Sequence, residues 1–111
     1  MKYGKILPLV ILTLFISGCV GGDKIGDILS KTEQYDGKEI NIKGDVINVL
    51  SIPLVSQGAY EIDDGSGSIW VVTSSGVPGK GKTVSVKGTV GTAFKIGANN
   101  LGTVVFEESR Q

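Results

Sequence analysis

The stretch EINIKGDV, residues 39–46, decides the fold. Its aliphatic residues alternate with polar ones, which is the period-two pattern of a half-buried β-strand. Gly44 falls on the apolar face, where a missing side chain allows a strand to bend or bulge. TVSVKGTV, residues 83–90, repeats the template with Gly88 in the corresponding place. We therefore predict two strands that turn similar corners, and not a tandem repeat, because the residues that follow the two stretches differ.

Three more stretches alternate in the same way and complete a set of five strands. They are AYEID at 59–63, SIWVV at 68–72 and GTVVFEE at 102–108. The acidic, glycine-rich DDGSGS at 63–68 predicts a tight turn between the second and third strands. A small sheet of five strands must curl on itself to hide its edges. We expect Glu107 and Glu108 to form a solvated strand end.

A short helix is predicted before the first strand, in DKIGDILSKTEQYDG at 23–37. Its apolar residues have helical spacing: Ile25, Ile28 and Leu29. Asp23 is the expected N-cap and Gly37 the expected stop, whereas Gly26 weakens the helix by about 1 kcal/mol relative to alanine. A helix this short needs to dock on a larger body.

The order and spacing of these elements resemble the OB-fold, and most closely the tRNA-anticodon-type OB domains and small exported bacterial OB-fold proteins. The resemblance covers residues 25–107. The motifs that carry it are YDGKEINIKGDV, YEIDDGSGSIWVV and GKTVSVKGTV. It implies an all-β, five-stranded Greek-key barrel with a short N-terminal helix. The chain departs from many OB-folds at SSGVPGKGK, residues 74–82, which predicts a plain loop where a helix often lies between the third and fourth strands.

The N-terminus has the anatomy of a secretory signal. Lys2 and Lys5 precede the apolar run 6–16, which is shorter than the about 20 residues that span a membrane. ISGC, ending at Cys19, resembles the lipobox of prokaryotic lipoproteins, and CVGG resembles the start of many archaeal ones. The resemblance implies cleavage after residue 18 and a fatty acid on the thiol. The alternative is that Cys19 is an ordinary apolar residue at the end of a membrane anchor.

This anatomy predicts three parts: a signal peptide at 1–18, a lipidated tether at 19–22 and an OB-fold domain at 23–111. The whole chain carries 11 basic and 11 acidic residues. Two lysines lie in the signal, so the mature chain has nine basic residues against eleven acidic ones. This balance argues against a protein that holds phosphate backbones mainly by charge.

Two glycine-rich motifs resemble nucleotide and metal sites. GVPGKGKT at 76–83 matches the pattern of a P-loop, but the alternating strand that follows cannot supply the helix that the motif requires. DDGSGS lacks the alternate acidic ligands and the closing glutamate of a calcium loop. Asp63 and Asp64 are better interpreted as turn formers. We predict no metal and no cofactor.

Catalysis is not expected from this composition. The chain has no histidine, its single cysteine is assigned to the lipid, and no serine has an evident base beside it. A nucleophile with an activating partner therefore cannot be assembled from the sequence.

The outer face of strands two and three is the usual binding surface of an OB-fold, together with the loops after strands one and four. By resemblance, the loops here are 50–58 and 94–102. The candidate binding residues are Trp70, Glu61, Lys43, Phe94 and Lys95. Alternation with its neighbours places Trp70 outside the barrel. The alternative, that it packs in the core under the helix or a loop, stays open because a register can be misjudged by one residue.

These observations give three hypotheses of function. The first is a non-enzymatic binding module that is lipid-anchored on the outer face of the cytoplasmic membrane and recognises an envelope protein or glycan. The second is a binder of single-stranded nucleic acid. The third is a structural subunit that pairs with another envelope protein.

Overall fold

The computed structural model describes residues 22–51, 57–96 and 99–111. Most of the described residues are in strands, which confirms the all-β prediction. The elements are α1 Ile25–Ser30, α2 Thr32–Tyr35, β1 Glu39–Ser51, β2 Gly58–Asp63, β3 Ser68–Thr73, β4 Thr83–Ile96 and β5 Asn99–Arg110. β4 and β5 are longer than the sequence predicted. They include most of residues 94–102, which were expected to form a loop.

The five strands close into a barrel in the order β1-β2-β3-β5-β4. β3 and β5 run parallel, and the other neighbouring strands run antiparallel. This arrangement confirms the OB-type barrel with a short N-terminal helix. Sixteen apolar side chains among the described residues are buried, and most of them fill the barrel.

β1 turns the corner that Gly44 predicts. Its first half pairs with β4 and its second half with β2, and Asp45 lies opposite both Thr83 and Asp63 at the change of partner. A Cβ on Gly44 would lie 2.6 Å from the Asp63 carbonyl oxygen. The corner therefore needs glycine because two backbones meet there.

Gly88 has the same role in β4. A Cβ there would approach the backbone of Phe106 and lie 2.7 Å from Val105 Cγ1. The register between β4 and β5 shifts at this point, since Lys87 is opposite Ser109 whereas Gly88 is opposite Glu107. Glu108 is thus the extra residue of a β-bulge.

The helix docks on the barrel through two of its three predicted apolar residues. Ile25 and Ile28 are fully buried, whereas Leu29 is 39% exposed. The N-cap is Lys24, which makes no side-chain cap, so the prediction for Asp23 is wrong. Asp23 instead accepts a hydrogen bond from the Asn41 N–H at 3.0 Å.

The turn between β2 and β3 caps this helix instead. Asp64 Oδ2 accepts from the Ile25 N–H at 3.0 Å, and Ser66 Oγ accepts from the Gly26 N–H at 2.9 Å. Helix ends leave such donors unsatisfied, and a short polar side chain is the usual acceptor. A Cβ on Gly26 would lie 2.7 Å from the Ser66 carbonyl oxygen. The glycine that weakens the helix therefore allows it to dock on the turn.

A loop closes one end of the barrel. Residues 74–82, all of them described, form no helix, as the sequence predicts. Val77 packs against the core from this loop. Beneath it lies a polar cluster formed by Tyr60, Thr73, Glu107 and Arg110. The expectation that Glu107 is solvated is wrong, because its side chain is 4% exposed, whereas Glu108 is exposed.

Candidate ligand-binding face

Trp70 lies on the outer wall of the barrel. Ile69 and Val71 on either side of it are buried in the core, whereas Trp70 is partly exposed. Its cross-strand partner on β2 is Glu61, and its partner on β5 is Val104. The alternation in SIWVV therefore gives the correct orientation, and the indole is a partly exposed residue of the outer wall.

Two neighbours hold the carboxylate of Glu61 in place. Asn48 Nδ2 donates to Glu61 Oε1 at 2.8 Å, and Ser68 Oγ donates to Glu61 Oε2 at 3.0 Å. Each oxygen thus receives one of these hydrogen bonds and keeps a lone pair, since a carboxylate offers about four acceptor sites. We call Asn48, Glu61, Ser68 and Trp70 the Trp70 face. It combines a flat aromatic side chain with an oriented acceptor.

The strands beside Trp70 make the wall apolar. Ala59, Val72 and Val104 share its side of the sheet by register and are buried. Phe106, opposite Val72, is 37% exposed. The polar groups of this wall therefore lie on β1, at the Asp63 end of β2 and at the start of β3, whereas the apolar groups lie on the rest of β2 and β3 and on β5.

The other candidate residues do not all lie beside Trp70. Lys43 is on the first half of β1, which pairs with β4, across the barrel from β3. Phe94 and Lys95 pair through their backbones with Gly102 and Asn100, and their side chains are outside the described residues. Most of the predicted loop after β1, residues 52–56, is also outside them.

A groove of about 370 Å³ lies along the seam between β1 and β4. Both Lys43 and Lys87 line it and are exposed. Lys87 Nζ lies 3.7 Å from Glu39 Oε1, an exposed ion pair that contributes little stability. The structure thus places the candidate residue Lys43 beside Lys87, at a wall that lacks Trp70.

The polar cluster at the loop end is the strongest electrostatic feature of the described residues. Tyr60 donates to Glu107, which also accepts from Thr73 Oγ1 at 2.8 Å and from Arg110 at 3.2 Å. Arg110 lies over the Tyr60 ring at 5.4 Å and donates to the Gly76 carbonyl at 3.0 Å. Burial raises the pKa of Tyr60 well above its ordinary value, and the hydrogen bond to Glu107 raises it further.

Sequence reasoning missed this cluster although a signal was present. In GTVVFEE, Glu107 has the same parity as buried Val105, so alternation alone places it inside. The expectation that Glu107 lies at a solvated strand end did not take this alternation into account. Arg110 could not have been placed in this way, because the bulge at Glu108 changes the parity after it.

The side chains of the DDGSGS turn hydrogen-bond to the backbone of the turn itself and to that of α1. Asp63 and Asp64 accept from the N–H groups of Gly65 and Ser66, at 2.7 and 2.8 Å, as turn formers do. Partial burial opposes ionisation of Asp64, but the hydrogen bonds from Ile25, Ser66 and Gly67 outweigh it and lower its pKa. No group of three or more possible metal ligands occurs among the described residues.

The N-terminal predictions concern a part of the chain that is not described. Residues 1–21, including the predicted signal and Cys19, are outside the described ranges. Within those ranges, no helix has the length and apolar character needed to cross a bilayer.

Comparison with known proteins finds likeness in structure but not in sequence. No family model and no curated protein matches the chain. Among solved structures, asparaginyl-tRNA synthetase from Pyrococcus horikoshii complexed with asparaginyl-adenylate is similar over 83% of this chain and 22% of its own, with a TM-score of 0.64 and 20% identity. A putative aspartyl-tRNA synthetase from Leishmania major Friedlin matches 82% of this chain and 20% of its own, with a TM-score of 0.59 and 15% identity.

The chain thus spans about a fifth of the length of the solved chains it matches. At these identities the likeness defines the fold. It is consistent with the resemblance to tRNA-anticodon-type OB domains drawn from the sequence motifs. The class of protein that the barrel defines is therefore an OB-fold domain.

Proposed function

We propose that this protein is a non-enzymatic OB-fold binding module that holds single-stranded nucleic acid at the Trp70 face. The observation that carries the proposal is the cross-strand pair of Trp70 and Glu61. A base stacked on an aromatic side chain gains about 1 to 3 kcal/mol, and every base has a face that can stack. Glutamate accepts hydrogen bonds from amino groups at base edges, such as N4 of cytosine.

The hydrogen bonds to Glu61 support the proposal, because they orient the acceptor before a ligand arrives. Asn48 and Ser68 fix the carboxylate beside the indole. Less side-chain freedom is then lost when a base binds, which favours affinity. The likeness to aminoacyl-tRNA synthetases, proteins named for their tRNA substrates, agrees with this class of ligand.

The charge distribution gives the proposal a distinctive form. Lys43 and Lys87 lie on the seam across the barrel from β3, so they cannot follow a strand that stacks on Trp70. Binding should therefore depend on bases more than on phosphates. On single strands, the logarithm of the association constant falls by about 0.7 for each contacted phosphate when the salt concentration rises tenfold. Because we expect few phosphate contacts, we expect the affinity to depend only weakly on salt.

The test is a titration of the full chain against labelled single-stranded oligonucleotides of about ten nucleotides, a length within the range of OB-fold sites. Fluorescence anisotropy at about 50 and 200 mM salt gives the slope. We expect binding to single strands, a small loss at the higher salt and weaker binding to a duplex of the same sequence. An absence of binding at the lower salt contradicts the proposal.

A second candidate follows from ISGC at 16–19. In this candidate, Cys19 carries a lipid, the domain stands on the outer face of the cytoplasmic membrane, and the Trp70 face binds an envelope glycan or protein. A sugar ring can also pack on an indole while its hydroxyls donate to Glu61. Fractionation of Cys19→Ala tests the anchor: we expect it to leave the membrane fraction, whereas membrane retention after signal cleavage argues against lipidation.

A further inference from the structure

Three polar side chains of the candidate binding face form a row across neighbouring strands. Glu61 points outward from β2, because Tyr60 and Ile62 on either side of it are buried in the core. Asn48 on β1 donates to Glu61 Oε1 at 2.8 Å, and Ser68 on β3 donates to Glu61 Oε2 at 3.0 Å. From β1 to β3, the row therefore contains an amide nitrogen, two carboxylate oxygens and a hydroxyl oxygen.

This row has a definite pattern of donors and acceptors for a ligand. An amide nitrogen carries two hydrogens, and Glu61 accepts one of those on Asn48. The second hydrogen, which no described residue accepts, is a donor beside Oε1. A carboxylate has about four acceptor positions, and contacts with the described residues fill two of them. A ligand that lies along Asn48 and Glu61 thus meets one donor and then two acceptors.

Guanine is the common base whose edge complements this pattern. Single-stranded nucleic acid exposes the Watson–Crick edges of its bases to proteins. That edge of guanine has an acceptor, O6, followed by two donors, N1–H and the N2 amino group. Cytosine and adenine have one donor beside acceptors, and uracil and thymine have one donor between two acceptors. When laid along both carboxylate oxygens, each of these other bases sets a lone pair against an oxygen.

We propose that the Trp70 face selects guanine, and that Glu61 is the residue that determines this specificity. The inference rests on the proposed function and names the base that the site prefers. Guanine stacks on the indole, its N1–H and N2 amino group donate to the two oxygens of Glu61, and its O6 accepts from Asn48.

The register of the strands allows one base to make all of these contacts. Trp70 and Glu61 are directly opposite each other on antiparallel strands. Such residues have Cβ atoms about 4.5 to 5.5 Å apart and share one face of the sheet. Asn48 is the partner of Glu61 on the other side of β2. The stacking surface and the row of polar atoms are therefore adjacent.

The negative charge of Glu61 also favours contact with a base edge. A carboxylate has no hydrogen to donate to a phosphate oxygen, and the two groups repel each other. Hydrogen bonds to a carboxylate are roughly twice as strong as those between neutral groups, and two parallel bonds also fix the orientation of the partner. Glu61 therefore suits a neutral ligand with two adjacent donors.

The test compares labelled single strands of about ten nucleotides, in the full chain's anisotropy assay at about 50 mM salt. One strand alternates guanine with thymine, one cytosine with thymine, and one adenine with cytosine; none of them pairs with itself. We expect the guanine strand to bind about tenfold more tightly than the other two, within the range that a good bidentate contact gives.

Two analogues of guanine identify the edge that is recognised by the unaltered chain. Hypoxanthine lacks the N2 amino group, so a strand that carries it in place of guanine should lose most of the tenfold preference. The base 7-deazaguanine lacks N7 but keeps O6, N1–H and the N2 amino group, so it should bind as guanine does. Loss of affinity with 7-deazaguanine but not with hypoxanthine overturns the proposal.

A variant with a matched control assigns the preference to Glu61. Glu61→Gln replaces one acceptor with a donor of similar shape, so the guanine strand should lose its advantage. Glu33→Gln removes the same charge from an exposed position on α2 and should keep it. Equal affinity for the three strands, or a preference that survives in Glu61→Gln, overturns the inference and leaves the proposed function standing. If none of the strands binds, the proposed function fails and the inference fails with it.

Discussion

Glu107 and Arg110 lie three residues apart on β5, yet both side chains contact Tyr60 at the same end of the barrel. In a regular strand, residues three apart point to opposite faces. The bulge at Glu108 adds one residue and so returns Arg110 to the side of Glu107. This pair joins β5 to the loop that closes the barrel, because Arg110 also donates to the Gly76 carbonyl.

Glu107→Ala should cost about 3 kcal/mol of unfolding free energy. It leaves Arg110 without its ion-pair partner and removes the acceptor of two buried hydroxyl groups, those of Tyr60 and Thr73. The control is Glu108→Ala at the neighbouring exposed position, which should have a much smaller effect. Urea unfolding of both variants measures the difference, and equal losses would show that the cluster does not hold the barrel end.

Tyr60→Phe should alter the stability of the protein at high pH. The folded state raises the pKa of Tyr60 through burial, so its stabilising effect is complete below the ordinary tyrosine pKa of about 10 and is lost as the pH rises above it. Tyr60→Phe has no hydroxyl to ionise and so lacks this pH dependence. Loss of the hydrogen bond to Glu107 should cost it about 1 kcal/mol of unfolding free energy at neutral pH. Denaturant midpoints between about pH 9 and 11 should fall more steeply for the unaltered chain. Parallel curves would contradict the assignment.

Asp64→Ala should weaken the docking of α1 by about 1 kcal/mol, because it removes the acceptor for the Ile25 N–H. Asp63→Ala is the matched control. The hydrogen bond described for the Asp63 carboxylate comes from the Gly65 N–H, within the same turn, and not from α1. Hydrogen exchange at the amides of α1 measures the effect, which should be larger for Asp64→Ala.

The same carboxylate gives a pH dependence of opposite sign to that of Tyr60. The pKa of Asp64 is lowered, so its contribution is present above the unfolded pKa of about 3.9 and is lost as the pH falls below it. The protection of the α1 amides, taken relative to their intrinsic exchange rate at each pH, should therefore fall on acidification in the unaltered chain, and this fall should be smaller in Asp64→Ala.

Gly44→Ala should destabilise the barrel by about 2 kcal/mol or more, because its Cβ would be forced against the Asp63 backbone at 2.6 Å. Gly79→Ala is the control: its Cβ would lie 3.6 Å from Lys82 Cγ, an ordinary contact with a flexible side chain. Thermal unfolding should separate the two variants clearly. A tolerated Gly44→Ala would show that β1 does not need the close approach at its corner.

The strand pattern predicted the fold because alternation and corner glycines are local signals. Gly44 and Gly88 mark places where two backbones meet, and no other residue type fits there. The cap of α1 could not be predicted locally, since the acceptor for Ile25 is Asp64, 39 residues away. Likewise, the sequence indicates that Lys43 is exposed but not which wall it occupies. That placement depends on the pairing partners of β1.

The emission of Trp70 during titration with a single-stranded oligonucleotide tests the proposed function most directly, because no other tryptophan contributes to it. We expect saturable quenching, and an affinity loss of about 5-fold to 150-fold in Trp70→Ala, measured by anisotropy, corresponding to about 1 to 3 kcal/mol of stacking. Leu29→Ala, an exposed apolar site on α1, should bind as the unaltered chain does. Emission that does not change at low salt, or Trp70→Ala binding with full affinity, would contradict the account.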